Sequence, residues 1–402
     1  MTDAAPTLYA SRRSQVSPFA VMDVLARVAA MRAEGRDVVS LCAGEPSGGA
    51  PPAVSRAAAA LHDAGTPLTY TPALGIAPLR EAIAGHYERW YGLEIDPTRV
   101  GITTGSSGGF VLGFLAAFEP GDRVALARPG YPAYRNILIS LGCEVVDLPC
   151  GPEVRYQPTP QLLQAAHDDA PLAGVIVASP ANPTGTMVSR EDLTGITRWC
   201  AAKGVRLVSD EIYHGVTYPV AGQEDPRGVC AWELDRDAIV ISSFSKYWGM
   251  TGWRLGWMLL PERLARPVDA LAGNIALCPP APAQYAAVAA FTDESYAFCE
   301  AAVTEFAATR ALLLEAAPSL GWGPSAPADG AFYYYADLGE HLTPFSSSVR
   351  YAAELLESEG VALTPGTDFD PVDGDRTVRL SFAAGRAAIG TAIERILAFH
   401  AC

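Results

Sequence analysis

Long apolar runs are missing from this sequence. The longest candidate, 110–118, is about half the ~18–20 residues a membrane-spanning helix needs, and it ends in Glu-Pro-Gly-Asp. The opening "MTDAAPTLYASRRSQ" lacks a basic segment followed by an apolar one, so no signal peptide is expected. No C-x-x-C pair occurs among the eight cysteines, which read as scattered reduced thiols of a cytoplasmic protein, not as disulfides or a zinc site. The six histidines show no H-E-x-x-H spacing. Positive charge is in short supply, with 29 Lys and Arg against 44 Asp and Glu, a net charge of −15. So acidic a surface repels phosphate backbones and anionic lipid, and neither nucleic acid nor membrane is expected as a partner. Repeats and low-complexity linkers are absent too. What remains is a 402-residue chain, 50% hydrophobic and 18% charged, ordinary for a soluble protein and long enough for two domains.

The middle of the chain alternates short apolar runs with longer amphipathic ones. The runs 100–104, 123–127, 144–148, 174–178, 205–209, 238–242 and 256–260 are bounded by Gly, Pro or Asp and read as buried strands. Helical stretches at 109–118, 133–141, 159–168 and 190–203 lie between them. This alternation predicts an α/β fold with a largely parallel sheet covered by helices on both faces. From about Phe291 the character changes to a long helix, strand-like pieces such as "GAFYYYADL" and "TVRLSFA", and a closing helix. That predicts a large domain over 45–290 and a smaller α+β domain from 1–44 with 291–402.

The stretch "SSFSKYWGMTGWRLGW", 242–257, sets Lys246 behind an apolar run. Ser243-Phe244-Ser245-Lys246 matches S-x-x-K, the nucleophile signature of penicillin-binding enzymes, but no K-T-G and no S-D-N accompany it. Gly105-Ser106-Ser107-Gly108-Gly109 matches G-x-S-x-G, and a hydrolase at Ser107 would draw its acid from Asp370 or Asp373 and its base from His400. A glycine-rich turn between strand and helix also leaves backbone N–H groups free for phosphate, and this is the preferred reading. G-x-G-x-x-G is absent.

Lys246 can instead be the carbonyl-capturing amine of a pyridoxal phosphate (PLP) enzyme. PLP needs a lysine, a carboxylate on its ring nitrogen, donors for its phosphate and an aromatic ring on its face. An amino-acid substrate needs an arginine, whose fork matches a carboxylate with two parallel hydrogen bonds. The ends of the expected strands offer these parts, where open α/β sheets place ligands. Gly105, Ser106 and Ser107 follow the first. Tyr131, Asn182, Asp210 with Tyr213, and Ser243 with Lys246 follow four others.

Together "SPANPTG", "SDEIY" and "SFSKYWGMTGWRLG" give the chain a resemblance to the fold type I, PLP-dependent aminotransferases of class I and II, from Leu41 to "TVRLSFA". The resemblance implies Lys246 as Schiff-base lysine and proton shuttle, Asp210 as partner of the ring nitrogen, and Asn182 and Tyr213 as donors to the ring oxygen. It implies Tyr131 as the stacking aromatic, and Ser243, Ser245 and Arg254 with the Gly105-Ser106-Ser107 loop as the phosphate site. Arg379 becomes the clamp on the substrate α-carboxylate, with Gly44 and Asn182 beside it. Tyr70 is expected to reach the phosphate of the neighbouring subunit in a homodimer. A cis Asn182-Pro183 bond is a family habit. Lyases, racemases and synthases share the fold, so they stand as alternatives to amino-group transfer between an amino acid and a 2-oxo acid. Members specific for aspartate add a lysine in the phosphate loop, where this chain has Ser107, or an arginine near "AGNIALCPPAP", which has no basic residue. A neutral or aromatic amino acid is therefore favoured, with Arg12 or Arg13 as the basic residues that could reverse this.

Overall fold

The computed structural model describes residues 9–218 and 225–401. The chain opens with α1 (Ala20–Ala33), β1 (Val39–Ser40), α2 (Pro52–Asp63) and α3 (Ala77–Tyr91). Strands and helices then alternate through β2 (Val100–Thr103), α4 (Gly105–Ala117), β3 (Arg123–Arg128), α5 (Pro132–Leu141), β4 (Glu144–Pro149) and α6 (Pro160–Asp169). They continue through β5 (Gly174–Ala178), α7 (Arg190–Lys203), β6 (Arg206–Asp210), α8 (Ala231–Leu234), β7 (Ile239–Ser243) and β8 (Gly256–Leu259). Next come α9 (Glu262–Ile275), α10 (Ala281–Ala287), α11 (Asp293–Leu320) and β9 (Tyr333–Asp337). The chain closes with α12 (Ser348–Glu359), β10 (Val361–Ala362), β11 (Thr364–Pro365), β12 (Thr377–Ser381) and α13 (Arg386–Ala401).

Seven strands form one sheet in the order β2-β8-β7-β6-β5-β3-β4. Only β8 runs against its neighbours. Alternate residues of the central strands feed two separate cores. Val175, Val177, Leu207 and Val240 face one, and Ile176, Val208, Ile239 and Ile241 face the other. Both faces are covered, so these strands are apolar throughout instead of alternating with polar residues.

The expected strands lie within a residue of the observed ones at each end, and β5 and α7 coincide with them. Helix α7 shows why its ends were readable. The Ser189 hydroxyl accepts from the Asp192 N–H at 3.0 Å, and Gly204 stops the helix at φ +69°. Helix α4 corrects an expectation, because it begins at Gly105 and takes in the glycine-rich segment read as a turn. Glycine is a poor helix former. Here it lets the helix lie close on the sheet, since a Cβ at Gly109 would stand 3.2 Å from Ile241.

The N-terminal segment packs against residues from the other end of the chain. β1 pairs with β10 in parallel, Val39 opposite Val361. Val28, Met31, Val38 and Cys42 share a small core with Leu356 and Ala362. β11, β12 and β9 form an antiparallel sheet in that order, which carries Arg379 at its centre. The Asn182-Pro183 bond is cis, as are Arg128-Pro129 and Ser179-Pro180. Among the described residues no helix is long and apolar enough to cross a membrane.

Candidate active site

The parallel strands bring their C-terminal ends to one edge of the sheet, so the loops after β2, β3, β5, β6 and β7 meet there. Antiparallel β8 starts at the same edge, which delivers Arg254, two residues before it. A cavity of about 380 Å³ opens at this edge. Gly44, Ser106, Ser107, Tyr131, Asn182, Asp210, Tyr213, Ser245, Lys246, Arg254 and Arg379 all line it.

The chain has only two lysines. Lys203 sits exposed at the end of α7, whereas Lys246 stands in the cavity, its Nζ 2.6 Å from the Gly44 carbonyl and 5.6 Å from the centre of the Tyr213 ring. Burial, and then the nearby charge of Arg379, lower the Lys246 pKa to about 8. Asp210 ends β6 and is buried, which raises its carboxyl to about 6. Hydrogen bonds from the Tyr134 hydroxyl and, at 3.0 Å, from the Ile212 N–H oppose that rise. The Tyr213 and Tyr333 hydroxyls lie 2.6 Å apart. Tyr333 in turn needs Gly44, because a Cβ there would stand 2.2 Å from its hydroxyl oxygen.

Arg379 is 5% exposed and, among the described residues, has no ion-pair partner. Nη1 donates to Asn182 Oδ1 at 2.9 Å, and Nη2 donates to the Cys42 carbonyl at 2.7 Å. Nε is buried with no acceptor among the described residues. The guanidinium carbon lies 4.5 Å from the Tyr333 ring centre and 4.8 Å from that of Phe369. A desolvated guanidinium with a spare donor is costly unless an anion joins it, and a carboxylate fits its fork.

Gly105 takes φ +65° and packs against the other arginine, where a Cβ would fall 2.5 Å from Arg254 Nη2. The first turn of α4 follows, so Ser106 and Ser107 offer backbone N–H groups and hydroxyls next to a guanidinium. That is a cradle for a phosphate. Lysine, acid, aromatic rings, phosphate cradle and unpaired arginine are together the donor set PLP requires, and the residues present fit it.

One expected phosphate ligand lies elsewhere, and Tyr70, expected to serve the neighbouring subunit, is not in the cavity of its own chain. Ser243 does not line the cavity. Its hydroxyl accepts from the Ser245 N–H at 2.9 Å and lies 3.4 Å from the Leu255 carbonyl, which braces the loop that presents Ser245. Tyr70 is 80% exposed. The decoy motifs also come apart. His400 bonds the Tyr351 hydroxyl and stacks on His341, and Asp370 and Asp373 both pair with Arg128, so no triad forms on Ser107. Tyr134 and Tyr333 went unnoticed in the sequence. Tyr134 had a faint signal, three residues after Tyr131 at the start of a helix; Tyr333 had none, since its strand arrives from a different sheet.

A lysine kept reactive by burial and set between two berths for anions is what exchange of one amine for another on a carbonyl requires; fold and cavity define a transferase of amino groups. The chain belongs to the aminotransferase class I and II family, whose profile matches residues 36–396. A Mycobacterium tuberculosis protein named valine–pyruvate aminotransferase is 52% identical over 385 residues, 96% of each chain. The aspartate/prephenate aminotransferase of Thermus thermophilus is 34% identical, covering 96% of this chain and 97% of its own. A solved aminotransferase structure from Mycobacterium tuberculosis superposes with a TM-score of 0.93 at 50% identity, across 98% of this chain and 99% of its own. The protein transfers an amino group between an amino acid and a 2-oxo acid.

Proposed function

We propose that this aminotransferase works with PLP held at Lys246 and acts on neutral, apolar amino acids in preference to dicarboxylic ones. The observation that carries the substrate reading is the count of cations. Lys246, Arg254 and Arg379 are the basic residues that line the cavity. With the lysine and Arg254 engaged by PLP and Arg379 by the α-carboxylate, none is left for a second carboxylate. Arg12 and Arg13 lie on an exposed turn and do not line the cavity. The 52% identical relative is named for valine and pyruvate.

When bound, PLP draws electrons from the substrate and makes its Cα–H acidic. The chain's own residues do the rest. The Asp210 carboxylate would hold a protonated ring nitrogen, Asn182 and Tyr213 would donate to the ring oxygen, and Tyr131 would pack against the ring. Ser106, Ser107, Ser245 and Arg254 would hold the phosphate, with Gly105 making room for the arginine. Arg379 orients the substrate so that the neutral amine of Lys246 can take the Cα proton and return it. The same reading takes the enzyme as a cytoplasmic homodimer in which exposed Tyr70 serves the neighbouring site. It also takes 45–290 as the large domain, with 1–44 and 291–402 as the small one. Support for the last comes from the β1–β10 pairing.

The test is the visible spectrum of the purified protein. A band from bound PLP should bleach with an apolar amino acid and return with a 2-oxo acid; a band that aspartate alone bleaches would refute the substrate reading. The pKa shifts add a pH dependence. Neutral Lys246 is the form that captures the carbonyl, so the rate at which the PLP-free protein takes up PLP should rise with pH through about 8. Asp210 is charged above about 6, so retention of PLP should weaken as the pH falls through that value. Stopped-flow absorbance and equilibrium dialysis measure the two limbs.

A further inference from the structure

One wall of the cavity is built by the start of the chain and held by its far end. Helix α1 has no capping side chain of its own, since Phe19 stands at its N-cap. The missing acceptor comes from Asp368. Its Oδ1 accepts from the Ala20 N–H at 2.6 Å and its Oδ2 from the Val21 N–H at 3.0 Å. So held, α1 turns Phe19, Val21 and Leu25 to the cavity. Phe19 stacks on Tyr131 with ring centres 6.3 Å apart and planes 13° apart. Val21 and Leu25 stand one helical turn apart, on one face. The next residue after Asp368 is Phe369, whose ring lies 4.8 Å from the Arg379 guanidinium carbon. The apolar wall and the carboxylate clamp are therefore tied through one dipeptide, Asp368-Phe369. Asp368 itself lines the cavity and adds negative charge there.

We propose that Asp368 is a specificity-determining positioning residue. By capping α1 from the opposite end of the chain, it holds Phe19, Val21 and Leu25 as a wall for the substrate side chain. That wall selects aliphatic 2-amino acids and their 2-oxo acids and turns away a second carboxylate. The inference rests on the reading that Arg379 takes the α-carboxylate, which places the side chain towards this wall.

The experiment compares kcat/KM for leucine, alanine and aspartate with the PLP-loaded enzyme. Alanine is the reference because its methyl group asks little of the wall. The wild type should favour leucine over aspartate. In Asp368→Ala the leucine-to-alanine ratio should drop by about tenfold, the scale on which hydrophobic pockets discriminate. The loss should sit mainly in the KM for leucine. Asp368→Asn keeps an oxygen acceptor for an N–H and should restore most of the ratio. Hydrogen exchange should quicken at both Ala20 and Val21 in the alanine variant, and at only one of them in the asparagine variant, whose side chain has one acceptor oxygen. Should Asp368→Ala not fold, Val21→Ser leaves the cap intact and should lower the same ratio. A ratio unchanged in Val21→Ser, or in Asp368→Ala despite faster exchange, overturns the proposal. An alanine KM that Arg379→Ala leaves unmoved would instead overturn the reading beneath it, and the two failures are told apart by which variant shows them.

Discussion

Lys246→Ala is expected to lower the rate of amino-group transfer by ~10⁴-fold or more, because it removes both the capturing amine and the base in one step. No other lysine lines the cavity to replace its amine. The chain's second lysine is exposed at the end of α7, and among the described residues neither histidines nor cysteines line the cavity except Cys42. Burial raises the Cys42 thiol to about 11, so it stays protonated. Binding of PLP should survive the change, since Asp210, Arg254 and the first turn of α4 remain. Single-turnover absorbance after adding an amino acid measures the chemistry, and mass spectrometry after borohydride reduction shows whether PLP is attached to the chain. Turnover within tenfold of wild type, or covalent attachment persisting in the variant, would sink the assignment of Lys246.

The second large effect is expected at Arg379. Removing one member of a buried, hydrogen-bonded charge pair costs ~2–5 kcal/mol, or roughly 30- to 5,000-fold in kcat/KM. For Arg379→Ala this loss should fall on the amino acid and the 2-oxo acid alike, because both carry the same carboxylate. The affinity for PLP should change far less, since the residues proposed to hold its phosphate are on the Arg254 side of the cavity. Arg379→Lys should recover little. A lysine supplies the charge without the two parallel donors, and it leaves Asn182 Oδ1 and the Cys42 carbonyl without their present partner. Steady-state kinetics across a series of amino acids and their 2-oxo acids would check this. Equal KM values in wild type and variant would mean that another group binds the carboxylate.

Local chemistry made much of this molecule readable. Strand β5 is five consecutive small and apolar residues and α7 is capped at both ends, so their limits could be read from neighbouring residues alone. Asp210, Tyr213 and Lys246 were found because each follows a strand of a parallel sheet, and parallel strands must deliver their ends to one edge. The helix at Gly105 was misplaced because its glycines oppose helix locally and are tolerated only for the close approach they allow to β7 and β8. Ser243 and Ser245 could not be told apart in sequence; which hydroxyl braces the loop and which faces the cavity depends on the backbone path between β7 and β8.

By itself, then, the sequence determined the alternation of strands and helices, the edge of the sheet where chemistry gathers, and the lysine and acid placed there. These follow from hydrophobic period and from residue type, which act over a few positions. Tertiary structure alone decided that Tyr134 supports Asp210, that Tyr333 meets Tyr213, and that Asp368 caps a helix 348 residues away in sequence. Such contacts join segments whose local patterns carry no mark of one another, so only the folded chain brings them together.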